Sequence, residues 1–303
     1  RGLGDVYKRQ VLVRIEAIGV NFIDVYFRTG LYKANESPVK IGSEAAGTIA
    51  AVGKGVQWKL GTRVAYAMAR GSYAEYAVVP ESVLVELPST IGFEDAAAVM
   101  LQGMTAHYLT HSTFALKPGD TCLVHAAAGG AGLLIVQTAK IAGASVIGTV
   151  STEAKAQLAR DCGADHVILY TQTDFLPEVK RITQNKGVDV VYDSVGSTTF
   201  HKSLDCLRPR GMMVSFGQSS GPIGQFDPLV LSQKGSLFLT RPSLANYVSD
   251  PNDLKWRSSD IFEWIAGGRL TIQIHKTYPL ADAAAAHRDL EARKTTGKLL
   301  LKP

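Results

Sequence analysis

Downstream of residue 120 the chain alternates short apolar runs with stretches of helical period. Residues 121–125, 145–150, 166–169, 188–192, 212–216 and 237–240 read as strands. The segments near 131–142, 153–162, 174–185 and 198–206 read as helices between them. Strands apolar along nearly their whole length belong to a sheet covered on both faces. The alternation predicts an α/β fold with a Rossmann-type, doubly wound parallel sheet of six strands.

Upstream the pattern is different. Residues 11–17 form a strand pattern ending at Gly19, and 45–52, 63–67 and 73–79 give three more, bounded by turn residues. A short helix over 23–28 stops at Gly30. This predicts an irregular, mostly antiparallel β unit. Beyond Pro242 two helices (258–267 and 281–293), a strand at 271–276 and a last strand at 298–301 form a tail too small to stand alone. The expected organisation is one discontinuous domain, 11–103 with 244–303, and a Rossmann domain over 104–243. Residues 1–10 (RGLGDVYKRQ) lack periodicity, an initiator Met and a signal-peptide pattern. They read as a non-native scar replacing a lost segment before Val11.

Composition narrows the picture. A length of 303 residues suits two domains. The net charge of +5 comes from scattered positions. That is compatible with phosphate binding and with weak nucleic-acid binding, and it reads first as a solvated basic surface. Cys122, Cys162 and Cys206 lie far apart with no CxxC pair, against a disulfide framework or a thiolate zinc site. Reduced thiols and the lack of an 18-residue apolar run point to a cytoplasmic protein without a membrane span.

The most informative stretch is Thr121-Cys122-Leu123-Val124-His125-Ala126-Ala127-Ala128-Gly129-Gly130-Ala131-Gly132. A strand runs through small residues into a helix, whose unpaired N–H groups suit a pyrophosphate. Gly129 allows close approach of the phosphates, Gly132 allows the helix to pack, and Ala127 replaces the usual first glycine. At the end of the second strand an NAD-binding protein carries an acid, which would repel a 2′-phosphate. Here Ser151 stands in that place, Lys155 follows one helical turn later, and Tyr170 ends the third strand. This set predicts NADPH as the cofactor; the plain alternative is that Lys155 is an ordinary helix lysine.

These residues, with Gly19-Val20-Asn21-Phe22-Ile23-Asp24, Gly42-Ser43-Glu44-Ala45-Ala46-Gly47, Val191-Tyr192-Asp193-Ser194-Val195-Gly196, Val214-Ser215-Phe216-Gly217 and Thr240-Arg241-Pro242-Ser243-Leu244, carry a family resemblance. From Val11 to Pro303 the chain resembles the zinc-independent quinone oxidoreductases of the medium-chain dehydrogenase/reductase superfamily, the group that includes zeta-crystallin. The resemblance implies a GroES-like catalytic domain, a Rossmann domain, NADPH in the cleft between them and a homodimer built through the Rossmann sheets. It puts Asn21 and Tyr26 near the nicotinamide and substrate, and Ser151, Lys155 and Tyr170 on the 2′-phosphate. Bacterial members look to carry Gly where this chain has Ser151. Phe216, Gly217 and Ser219 would line the nicotinamide side, Ser194 and Arg241 would approach the cofactor, and Gly297 and Lys298 would close over it.

The alcohol dehydrogenase branch places a zinc-binding His in a Gly-His-Glu run, which here reads Gly42-Ser43-Glu44. Ser43 is a poor zinc ligand and the four-cysteine lobe is absent, so no metal is expected. Without a Lewis acid, alcohol oxidation loses its main electrostatic help, whereas a conjugated carbonyl already delocalises incoming charge. The expected activity is NADPH-dependent quinone reduction. An alkenal or enone reductase on the same fold is the nearest alternative, and an NADPH-responsive RNA-binding protein with vestigial catalysis is another. The Tyr26 phenol is the best candidate proton donor, against simple packing in the pocket wall. His125 reads as a satisfied strand-end histidine rather than a relay, His107 and His111 as a helix face rather than a metal pair, and Asp24 as a residue that orients its neighbours.

Overall fold

The computed structural model describes residues 9–34 and 36–303. They divide into two units: the residues up to Met104 with Tyr247–Gly268 and Ile272–Pro303, and Thr105–Asn246 with Arg269–Thr271. In chain order the elements are β1 (Gln10–Val20), α1 (Phe22–Arg28), β2 (Glu44–Val52), β3 (Arg63–Ala67), β4 (Tyr76–Pro80), β5 (Leu84–Glu86) and α2 (Phe93–Tyr108). Then come β6 (Thr121–His125), α3 (Gly130–Ile141), β7 (Ser145–Val150), α4 (Glu153–Asp161), β8 (His166–Leu169), α5 (Phe175–Ile182), β9 (Val188–Asp193), α6 (Phe200–Cys206), β10 (Leu207–Ser215), α7 (Leu229–Gln233) and β11 (Phe238–Thr240). The chain ends with α8 (Leu244–Tyr247), α9 (Pro251–Ala266), β12 (Ile274–Pro279), α10 (Ala283–Glu291) and β13 (Lys298–Lys302).

In the first unit the sheet order is β12-β13-β1-β2-β3-β5, with β4 also paired to β1. Every pairing is antiparallel except β12 with β13. The long first strand shifts register after Leu12 and again after Ile15, which lets one strand serve three neighbours. Alternate residues Val11, Val13 and Ile15 face a core with Tyr66, Leu299 and Leu301. Gln10 already pairs with Pro80, so the strand starts inside the stretch read as a scar; residues 1–8 lie outside the described ones.

In the second unit the parallel order β11-β10-β9-β6-β7-β8 is the doubly wound arrangement expected from the alternation. The turn from β6 into α3 is tight. Ala126, not Ala127, takes the left-handed conformation (φ 52°). The methyl of Ala127 is accommodated on the neighbouring strand: a Cβ on Gly148 of β7 would lie 2.8 Å from it. The glycine missing from the turn is thus compensated across the sheet, and Gly132 packs where a Cβ would meet the Ala126 carbonyl oxygen at 2.2 Å.

Several boundaries differ from expectation. The 16-residue α2 begins within the stretch read as β-rich. Its Ala96, Ala97, Ala98, Val99 and Met100 are all buried, so the helix shows no polar face to reveal its period. Strand β10 starts at Leu207, five residues early, because Arg208-Pro209-Arg210-Gly211 hides the apolar pattern. Helix α9 starts at Pro251, with Asp250 accepting from Asn252 N–H as the cap.

The Ala127–Gly148 contact is testable. Gly148→Ala should cost about 1–3 kcal/mol by overpacking, and Ala127→Gly in the same chain should recover part of it. Thermal melts of the single and double variants check this; a harmless Gly148→Ala would contradict the contact.

Candidate active site

The carboxyl ends of the Rossmann strands gather most of the expected cofactor residues. Gly129, Gly130 and Ala131 are half-buried at the start of α3, and no side chain caps this helix end. The first N–H groups of a helix lack intrahelical partners, so this end is open to an anion. Pairing of Val150 with Leu169 brings Ser151 and Tyr170 side by side at the next position. Tyr170 is 48% exposed, and Thr171 donates its hydroxyl to the Ser151 carbonyl at 2.9 Å, tying the two strand ends together. Lys155, in the first turn of α4, is partly buried, which lowers its pKa. Across the sheet, Phe216 and Gly217 donate backbone N–H groups to the Asp193 carbonyl, and Ser219 donates to that of Ser194. Arg241 donates to the Ser215 carbonyl at 2.9 Å, at the same strand end as Phe216.

The β unit holds a second, largely buried polar cluster. Asn21 follows β1 directly and caps α1, and its backbone N–H is accepted by Asp24 at 2.9 Å. All four hydrogen-bonding positions of the Asn21 amide are engaged. Its Nδ2 donates to the Gly19 carbonyl at 3.2 Å and to Glu44 Oε2 at 2.8 Å. Its Oδ1 accepts from Gln102 at 3.1 Å and from Lys298 Nζ at 2.8 Å. Lys298 also meets Glu44 at 2.6 Å, with both side chains at most 2% exposed. The ammonium of Lys298, expected to close over a cofactor, therefore points into the protein. Gly19 makes room for this arrangement, since a Cβ there would lie 2.2 Å from Glu44 Oε2. Gly297, just before Lys298, takes a left-handed turn (φ 62°).

Asp24 sits in the same interior without a cation bonded to it. Burial raises its pKa to about 6, against hydrogen bonds from Asn21 N–H and Ser43 and the more distant Lys298 charge. Ser43, the residue in place of a zinc-binding His, donates its hydroxyl to Asp24 at 3.0 Å. Tyr26 is 9% exposed and packs between Phe22 and Tyr32, ring centroids 6.2 and 5.1 Å away.

Other candidates resolve more plainly. His125 bonds Thr149 and Ser203 through its two ring nitrogens, at 2.9 and 2.8 Å, and burial lowers its pKa. It is a satisfied histidine. His107 and His111 stack on each other at 4.7 Å. Among the described residues no group of three or more His, Cys, Asp or Glu side chains is placed to hold a metal, and no helix is long and apolar enough to cross a membrane. The three cysteines are free thiols. Sequence reasoning missed Gln102, Tyr73 and His287. The last was the most findable: a lone ring after four alanines, Ala283 to Ala286, on an otherwise polar helix.

A six-stranded parallel sheet with an uncapped, small-residue turn into its first helix, together with a largely antiparallel β unit, defines a protein of the medium-chain dehydrogenase/reductase class. Residues 7–89 match the alcohol dehydrogenase GroES-like domain family and residues 162–301 the zinc-binding dehydrogenase family. A quinone oxidoreductase of Pseudomonas aeruginosa is 49% identical over 97% of this chain and 91% of its own. A 2-haloacrylate reductase of a Burkholderia species is 45% identical over 97% and 91%. The structure of Escherichia coli quinone oxidoreductase complexed with NADPH superposes with a TM-score of 0.98 at 45% identity, over 100% of this chain and 94% of that one. A mycobacterial protein complexed with NADPH gives 0.97 at 45% identity with the same coverage. The chain belongs to the quinone oxidoreductase family of this superfamily.

The buried carboxyl has a consequence for stability. Folded Asp24 holds its proton up to about pH 6, whereas the ordinary value is 3.8. Between these values the native state binds more protons than the unfolded one, so stability falls as pH rises through the window. Relative to Asp24→Asn, the wild type should lose about 3 kcal/mol across it, read from urea denaturation of both; parallel curves would contradict a raised carboxyl. Lys298→Met, which leaves Glu44 unpaired in the interior, should cost about 3–5 kcal/mol, with part restored by adding Glu44→Gln.

Proposed function

We propose that this chain is an NADPH-dependent, metal-independent reductase of quinones. The observation that carries the cofactor assignment is the edge formed by Ser151 and Tyr170, with Lys155 a turn away and no carboxylate at the strand end. An acid there would repel a 2′-phosphate; a hydroxyl, a phenol and an ammonium attract one. The small-residue turn and open start of α3 suit the pyrophosphate, so the residues present fit the dinucleotide. Bound NADPH supplies the hydride. The named relatives support quinone as acceptor, and Ser43 supports an acceptor that needs no Lewis acid.

In this reading Gly129, Gly130, Ala131 and Gly132 hold the pyrophosphate, with Ala127 setting the turn beneath them. Phe216, Gly217, Ser219 and Ser194 form the wall on the nicotinamide side, and Arg241 steadies that wall through Ser215. Tyr26 hydrogen-bonds the acceptor's oxygen. Asn21, its amide fully engaged, shapes the pocket beside it, and Lys298 and Gly297 act by holding Asn21 in place. The protein's contribution is positioning and exclusion of water.

A second reading, reduction of a conjugated carbon–carbon double bond, is favoured by the Burkholderia 2-haloacrylate reductase relative. The RNA-binding reading rests on net charge alone. We also propose a homodimer through β11, the strand at one end of the parallel sheet, whose Phe238 and Leu239 are 57% and 37% exposed. An apolar unpaired edge invites another strand.

Oxidation of NADPH and NADH with 1,4-benzoquinone and with 2-chloroacrylate, after treatment with a chelator, tests the activity. Fast, NADPH-selective quinone turnover that survives chelation is expected; turnover of the haloacrylate alone would replace the first reading by the second. Lys155→Ala should weaken NADPH by about ten- to a hundredfold and leave NADH nearly unchanged. Sedimentation should give twice the chain mass, and Leu239→Lys should shift it to the monomer.

A further inference from the structure

Four side chains of the β unit, from four separate stretches of chain, lie on one hydrogen-bonded line that the proposed chemistry does not yet use. Ser43 bonds Asp24 Oδ1 at 3.0 Å, Tyr73 bonds Asp24 Oδ2 at 3.3 Å, and the Tyr73 oxygen lies 2.9 Å from His287 Nε2. The directions follow from the donors. Asp24 Oδ2 already accepts the Asn21 N–H, so Tyr73 donates to it and His287 Nε2–H donates to Tyr73. That leaves Nδ1 of the neutral ring as a bare lone pair, and this atom is buried without a hydrogen-bond partner among the described residues. Such an atom is a vacant proton acceptor at one end of a line whose other end is a buried acid. Both ends are buried, with Asp24, Ser43 and His287 at 0%, 2% and 3% exposed. His287 shares α10 with Glu291, which pairs at the surface with Arg28 at 2.7 Å.

We propose that His287, Tyr73, Asp24 and Ser43 form a proton chain that draws protons from the Arg28–Glu291 edge and delivers the one that completes reduction of the acceptor. The proposal rests on the reductase reading above. When Asp24 carries its proton on Oδ1, the 3.0 Å bond to Ser43 runs the other way and the Ser43 hydroxyl is released toward the acceptor. Hydride addition leaves a hydroquinone anion; its oxygen gains the Ser43 proton as Ser43 takes the one on Asp24 Oδ1. Asp24 regains one at Oδ2 from Tyr73, Tyr73 from His287 Nε2, and His287 regains one at its buried Nδ1 from water admitted past the Arg28–Glu291 pair. The sum is one NADPH, one proton and one quinone to NADP⁺ and hydroquinone. Burial and the adjoining Asp24 push the Tyr73 phenol far above its ordinary range, so it passes a proton only in concert with its neighbours. The charged groups facing the line are Lys298 and Glu44 beside Asp24, Arg28 and Glu44 around Tyr73, and Arg28 and Glu291 around His287. Burial, then Arg28, lowers the His287 pKa against the pull of Glu291, so its proton is released readily. His287, Tyr73 and Asp24 act through Ser43 and are positioning residues in the strict sense.

Tyr73→Phe, His287→Gln and His287→Ala test this with NADPH and 1,4-benzoquinone. For the wild type kcat should fall as pH rises and the chain empties. Tyr73→Phe should lower kcat at least about tenfold, abolish that pH limb and leave the KM for NADPH unchanged. His287→Gln keeps a donor toward Tyr73 but cannot relay, so it should be as slow as His287→Ala, and added imidazole should rescue only the alanine variant. A glutamine variant with wild-type kcat and pH profile would overturn the proposal and reduce the line to a fastening between α10 and the Tyr73 loop. The infrared carboxyl band of Asp24, assigned by its loss in Asp24→Asn, gives a readout without turnover. It should shift in both Tyr73→Phe and His287→Gln, and a band indifferent to both overturns the chain. A wild type that turns over neither acceptor while the band shifts would instead defeat the reductase reading.

Discussion

Lys298 places its ammonium against Glu44 across 254 residues of sequence, in an interior where neither side chain sees water. Bringing two charges into such a place is expensive, and their attraction offsets the expense only when every remaining donor and acceptor is satisfied. That condition explains the company they keep. Glu44 takes the Asn21 amide on one oxygen and the Leu101 backbone N–H on the other; Lys298 adds the Asn21 carbonyl oxygen. Removing any of these leaves a buried donor or acceptor without its partner. The pair thereby fixes where β13, β2, α2 and the start of α1 meet, and Asn21 is held in one rotamer from four sides.

A neighbouring carboxyl in the same cluster meets the opposite fate. Glu44 is bonded to a cation, while Asp24 has only neutral donors and a more distant Lys298. Desolvation then dominates and keeps Asp24 protonated to about pH 6. Two acids packed into one interior thus keep different company, Glu44 a bonded cation and Asp24 neutral donors.

The sequence made the parallel half of the molecule readable because its strands are apolar runs between helices of clear period. Four of the six expected strand starts, at 121, 145, 166 and 188, agree with the observed ones. The end of β7 could be examined for an acid because Ser151 follows it directly. Where every face of an element is buried, as in α2, periodicity has nothing to report. The polar cluster was hidden for a different reason. Asn21, Glu44, Gln102 and Lys298 are each unremarkable in their local runs, and only β1–β2 and β1–β13 pairing brings them together. Ser43 was legible only as a poor zinc ligand, and its bond to Asp24, 19 residues away, could not be seen from its own run.

The proposed chemistry turns on Ser43. A metal stabilises developing negative charge on oxygen by its own charge and moves no proton to do so. A serine hydroxyl cannot substitute for that charge, and an alcohol substrate would gain little from it. A conjugated acceptor makes a smaller demand, since charge arriving with a hydride spreads through its π system and comes to rest on an oxygen that needs a proton. A serine backed by an acid that keeps its proton up to about pH 6 meets that demand. The acid is protonated there because it is buried without a bonded cation, and it lacks one because Lys298 is held by Glu44 and Asn21. The tightest ion pair in the β unit therefore acts on the proposed reaction through the charge it withholds from Asp24.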